Sequence, residues 1–265
     1  MTLSSTTHAA EMVSVGDATL HMLRGGNGRP ALVLHGIEGP EGWLAFHEAL
    51  SRGNEVYAPS HPGFGESPRP EWMETIAHQA LFYEWYLRQA GIEEVDLIGF
   101  GIGGWIAAEM AMMCSHNLRQ LVLIDAAGVR PTEGEIYDIF IRPWSDVVDQ
   151  CVNNPELAEE FRRIYDESPV LNFGGHREAG RIMSTRMCYR PYMYNPAFPA
   201  ALGGIRTPTL IVWGANDCII PVECGQLYQQ AIPGAKLEIM DDCGHWPHYE
   251  KPEALAEIVR GFLAS

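Results

Sequence analysis

Basic residues are scarce in this chain of 265 residues: 18 lysines and arginines stand against 34 aspartates and glutamates, for a formal net charge of −16. A surface of that sign repels phosphate backbones and anionic membrane faces, which argues against nucleic acid or membrane partners and leaves a small molecule. No apolar run reaches the roughly 18 residues of a membrane span. The opening MTLSSTTHAAEM has neither a basic start nor an apolar core, so it reads as a short leader without an export signal. The six cysteines, at 114, 151, 188, 218, 224 and 243, form no C-x-x-C pair. That argues against a redox motif or disulfide scaffold and fits reduced thiols in a cytoplasm. No ligand spacing suggests a metal, and no repeat or low-complexity tract is present. Gly99, Gly101 and Gly104 match G-x-G-x-x-G, but not at the first strand of a βαβ unit, so no nucleotide cofactor is expected.

What is there is a well-fed core, 46% hydrophobic, enough for one large domain with an insertion. Runs at 12–16 and 18–26 around Gly16-Asp17 predict a hairpin, and the continuous apolar run 31–36 predicts a strand buried on both faces. Further strands are expected at 55–60, 95–100, 121–126, 209–214 and 236–242. Helical spacing marks the stretch around Trp43 to Leu50, then 74–90, 103–116, 221–231 and 252–263. This alternation predicts an α/β fold: a mostly parallel eight-stranded sheet with helices on both faces. Residues 129–200 differ, being rich in Arg, Tyr and Met, with helical spacing at 155–167 and 176–190 and no good strand. They are expected to form a helical lid inserted into a core made of 1–128 and 201–265.

Functional side chains of such sheets gather at the carboxyl ends of strands. Four ends stand out: His35-Gly36-Ile37-Glu38-Gly39, DLIGFGIGGW at 96–105, Asp217 in VWGANDCIIP, and His245 in DDCGHWPHYEKPE. The second has the glycines of the G-x-S-x-G turn but Gly101 where its serine would stand. Elbow, acid and histidine follow in the order of a Ser-Asp-His triad.

Across nearly its whole length the chain resembles the α/β-hydrolase fold family. The features that carry this are H-G at 35–36, P-G-F-G-x-S at 62–67, the elbow, W-G-x-x-D-x-x-x-P at 213–221 and C-G-H-W-P at 243–247. Within the family it is similar to the meta-cleavage-product (carbon–carbon bond) hydrolases and their esterase relatives, through His35 to Pro40 and Gly244 to Trp246. It departs from them at Phe100, where asparagine often precedes the nucleophile, and at Gly101.

The resemblance implies His245 as general base, Asp217 as its acid and the backbone N–H groups of Ile37 and Ile102 as oxyanion hole. With Gly101 no acyl-enzyme can form there, so His245 is expected to activate water directly. Trp144 and Trp246 are expected to line an apolar or aromatic pocket, with Phe100 beside it; Arg190, with Arg186, is a candidate to meet a substrate carboxylate, surface solvation being the commoner fate of either one alone. Glu38 either orients a water or is solvated surface charge. Asp125 is an alternate acid or, on the simpler reading, a cap at the start of the lid. Cys218 and Cys243 are expected to be small buried packing residues. The reaction is expected on a small ester, lactone or C–C bond next to a carbonyl. Two other readings stay open: base catalysis without hydrolysis (lyase, isomerase or cofactor-free oxygenase), and a retired ligand-binding protein. A homodimer is compatible with all three.

Overall fold

The computed structural model describes residues 8–156, 158–165 and 176–265. Strands β1 (His8–Val15) and β2 (Ala18–Gly26) form the expected hairpin, and β3 (Arg29–Leu34) leads to α1 (Ala45–Leu50). Next come β4 (Asn54–Pro59), α2 (Ile76–Gln89), β5 (Val95–Phe100), α3 (Ile102–Met113) and β6 (Leu118–Ile124). Between β6 and β7 lie α4 (Trp144–Cys151), α5 (Glu159–Tyr165), α6 (His176–Cys188) and α7 (Phe198–Ala201). The chain closes with β7 (Thr209–Gly214), α8 (Val222–Ala231), β8 (Lys236–Met240), α9 (Pro247–Glu250) and α10 (Pro252–Leu263).

The eight strands form one sheet in the order β1-β2-β4-β3-β5-β6-β7-β8. β2 runs antiparallel to both of its neighbours, and from β4 onward every pairing is parallel. Because side chains alternate across a strand, each central strand feeds two cores. Leu32, Leu34, Leu97, Leu121, Leu123, Ile211 and Trp213 face the layer of α2, α3 and α8. Ala31, Val33, Ile98, Phe100, Val122, Ile124, Leu210 and Val212 face the layer of α1 and α10. Burial on both faces is why these segments read as unbroken apolar runs. α10 is instead amphipathic, burying Leu255, Ala256, Val259 and Leu263 along one stripe.

Two differences from the sequence reading stand out. The first strand begins at His8, four residues earlier than the apolar run suggested, because β1 is held by its ladder to β2 out to His8–Gly25. Residues 1–7 lie outside the described residues. The insertion also carries a helix, α4, that sequence spacing did not mark. Its two ends meet: Gly128 N–H donates to the Met193 carbonyl and Asn195 N–H to the Gly128 carbonyl, so the segment leaves and re-enters the core at one point.

Candidate active site

At the end of β5 the chain turns directly into α3 through Gly101, whose φ of 49° and ψ of −115° lie where L-residues are strained. The turn is tight because α3 rides on the end of β3: a Cβ on Gly103 would sit 2.2 Å from the Leu34 carbonyl oxygen. At Gly101 the situation is reversed. A Cβ there would lie 3.6 Å from both the Gly36 Cα and His245 Nε2, in ordinary van der Waals contact. The backbone thus keeps an elbow, with room above it for a small side chain facing the imidazole.

His245 comes from the loop after β8, and Asp217 from the loop after β7. His245 Nδ1 donates to Asp217 Oδ2 at 2.8 Å, and both side chains are buried. The other carboxylate oxygen of Asp217 accepts the N–H groups of Ile219 and Ile220 at 2.8 and 2.9 Å, which fixes its orientation. With Nδ1 occupied, Nε2 is left as the acceptor, and it faces the space over Gly101. Burial pushes the imidazole pKa down. The Asp217 charge and hydrogen bond, helped by Glu38, outweigh it and hold His245 above its usual value.

Ile102 opens α3, so its N–H is one of the donors a helix leaves unmatched at its start. Ile37 lies buried in the turn closed by Gly39 N–H donating to the Gly36 carbonyl. The His35 ring is engaged: Nδ1 meets the Gly36 carbonyl at 2.7 Å, and Nε2 accepts from His61 N–H at 3.0 Å. Burial holds it at about 4, so it is neutral near pH 7.

Several sequence expectations need correcting. Glu38 is not solvated: it is 5% exposed, and its carboxylate accepts the Gly36 N–H at 2.9 Å. Burial pushes its pKa up to about 7, against the pull of backbone N–H donors and His245. Asp125 does not cap the insertion. Its carboxylate accepts the Gly214 N–H at 2.8 Å and lies with Asp217 and His245, their ligand atoms all within 4.8 Å of one another. Burial, and then the Asp217 charge, raise it well above the usual carboxylate range. These three residues are the group, among the described residues, that could hold a metal. His245 and Asp217 are hydrogen-bonded to one another, whereas Asp125 is tied to the Gly214 N–H.

Phe100 points away from the elbow, edge-on to Phe46 with centroids 5.3 Å apart and 4.5 Å from the His248 ring. Strand alternation explains this, since Phe100 shares the α1/α10 face with Ile98. Arg190 stands exposed over the Tyr189 ring at 5.7 Å and supplies no buried cation. Cys243 is buried, but Cys218 is exposed. Trp246 is buried next to His245, with Trp144 of α4 at 6.4 Å and Phe161 of α5 at 6.2 Å between ring centroids. This aromatic seam joins the histidine loop to the insertion.

Sequence reasoning missed Glu250. One of its oxygens accepts the Gly244 N–H at 2.6 Å, and the other accepts those of Asn153 and Asn154 at 3.0 and 3.1 Å. Trp246 N–H also donates to the Cys151 carbonyl at 3.1 Å. A glutamate five residues after the histidine, with no other acid between them, was the available signal.

Comparison with known proteins gives a consistent picture. The model of the Alpha/beta hydrolase family matches residues 31–258. A 2-hydroxymuconate semialdehyde hydrolase of Pseudomonas putida is 29% identical, over 90% of this chain and 88% of the relative. A 2-hydroxy-6-oxo-2,4-heptadienoate hydrolase of Pseudomonas putida is 29% identical over 96% of each chain. Among solved structures, the 2-hydroxy-6-oxo-6-phenylhexa-2,4-dienoate hydrolase of Rhodococcus sp. strain RHA1 superposes with a TM-score of 0.81. It is 21% identical, covering 97% of this chain and 99% of the other, a likeness of fold.

Proposed function

The chain belongs to the alpha/beta hydrolase family, and from that premise we propose that it hydrolyses a small apolar or aromatic substrate at a bond next to a carbonyl, with water in place of the serine. The bond is a C–C bond in the first instance, as the names of the 29%-identical relatives suggest, with esters and lactones as further substrates of the same site. The observation that carries the proposal is His245 Nε2 facing the space over Gly101 while Nδ1 is bound to Asp217.

In this reading a water over Gly101 gives its proton to Nε2 as its oxygen attacks the carbonyl carbon. Asp217 stabilises the imidazolium, and the N–H groups of Ile37 and Ile102 take the developing oxyanion. Collapse of the tetrahedral adduct breaks the bond to the neighbouring carbon or oxygen. The electron pair leaves as an enolate or alkoxide, and the imidazolium returns the proton. One water is consumed, and no oxidant or metal enters the balance. The insertion, residues 129–200, serves as the lid. Its Trp144 and Phe161, packed on Trp246, favour an apolar acyl group.

The test is His245→Ala against the unaltered protein, assayed on a vinylogous 1,5-diketone acid and on p-nitrophenyl acetate. Loss of two to four orders of magnitude in kcat/KM supports the reading, that being the range general-base catalysis contributes. Equal turnover with and without the imidazole refutes it.

A further inference from the structure

Glu38 is a buried acid that this mechanism does not use. Its carboxyl packs where Gly36 lacks a side chain: a Cβ on Gly36 would stand 2.3 Å from Glu38 Oε2. The same Gly36 Cα is 3.6 Å from the Cβ position of residue 101. The carboxyl therefore lies directly behind the turn whose Ile37 N–H faces an oxyanion, holding that turn through the Gly36 N–H. On its far side, His248 Nε2 is 3.7 Å from Oε1, and His248 Nδ1 is buried with no hydrogen-bond partner. A small cavity of about 30 Å³, room enough for a water, lies against the carboxyl between Pro40, Leu44, His47, Phe100 and His248.

We propose that Glu38 is a positioning residue whose ionisation switches the oxyanion site: neutral, it braces the Gly36–Glu38 turn, and ionised, it sets a buried negative charge behind the incoming oxyanion. The inference rests on the hydrolytic reading above. Like charges placed close together in a low-dielectric site oppose each other strongly. The carboxylate would also favour the protonated form of His245, removing the base. The productive state is thus the one-proton form, with the proton on Glu38 and His245 neutral.

The groups facing Glu38 support this assignment. His248 of α9 and His47 of α1 are neutral, both driven down by burial. Glu41 adds negative charge from the same loop, and the buried Cys151 thiol of α4, itself pushed up by burial, adds none while protonated. His35 is neutral, so His245 is the one cation-forming group whose charge reaches the carboxyl among those resolved. Burial accordingly sets Glu38 at about 7.

The experiment compares the unaltered protein with Glu38→Gln, which keeps the acceptor for Gly36 N–H and removes the charge. The expected kcat/KM profile of the unaltered protein is a bell that falls roughly tenfold from its optimum to pH 9. The variant should show a single rising limb, moved on the order of one pH unit lower. By NMR, the His245 ring should titrate in two steps in the unaltered protein and in one in the variant, and the Glu38 carboxyl carbon should titrate near neutrality. If neither protein shows His245-dependent turnover, the hydrolytic reading fails, and with it the oxyanion part of this inference. The His245 titration then decides the charge coupling alone. Superimposable titrations and profiles overturn the inference. Should the variant not fold, the carboxyl titration in the unaltered protein decides: a carboxyl that stays ionised down to pH 5 refutes it.

Discussion

Replacing Gly101 by serine restores a hydroxyl where the elbow leaves room for one. The added Cβ would touch only the Gly36 Cα and the imidazole edge, both at 3.6 Å, so packing imposes no clash. The cost comes from the backbone: a side chain at φ 49° and ψ −115° is strained by about 1–3 kcal/mol, which should lower the melting temperature by a few degrees. The gain should be far larger. Nε2 faces the new side chain, Asp217 is in place behind the ring, and the oxyanion donors proposed above, Ile37 and Ile102 N–H, are main-chain groups that the substitution does not touch. Loss of the nucleophile in a well-characterised triad costs on the order of 10⁶ in kcat. Gly101→Ser should recover about 10³-fold or more on p-nitrophenyl acetate, with a burst of p-nitrophenol and an acetylated peptide by mass spectrometry. A folded variant with neither rate gain nor acyl adduct would refute the claim that the site around Gly101 remains set for hydrolysis.

Two further outcomes follow from the packing. Gly103→Ala drives a Cβ into the Leu34 carbonyl at the β3–α3 contact, so it should destabilise by about 1–3 kcal/mol in urea unfolding and reduce His245-dependent turnover. An unchanged midpoint would show that α3 can shift freely. Asp125→Asn keeps an acceptor for the buried Gly214 N–H and should cost under about 1 kcal/mol, whereas Asp125→Ala strips that N–H of its acceptor and should cost about 1–3 kcal/mol. The reverse order would show that the Gly214 contact contributes nothing to stability.

The sequence announced the frame because the frame is periodic. The segment 209–214 has every residue buried and was read to the residue, as was the stripe of 252–263. Edges were harder. β1 exposes most of its side chains, so no hydrophobic pattern marks where it starts. α4 spans only eight residues after Pro143 and is held by contacts with the histidine loop. The His245–Asp217 contact was legible as an order of motifs, but the surroundings of that pair were not. A glutamate in H-G-I-E-G-P is by prior a surface residue, and only the space left by Gly36 makes its burial feasible. Arg190 is turned outward over Tyr189, the fate that solvation favours for a lone arginine. Asp125 ends a central strand, which is where a functional acid should be sought.

The Glu250 clamp has a mechanical meaning. One carboxylate grips the loop that carries His245 and the residues just beyond α4, while the Trp246 N–H is tied to the last residue of that helix. The insertion cannot swing at this corner without breaking those bonds or dragging the histidine loop along. Movement of this corner of the insertion and movement of the histidine loop are therefore one event: whatever displaces residues 151–154 carries the imidazole with it.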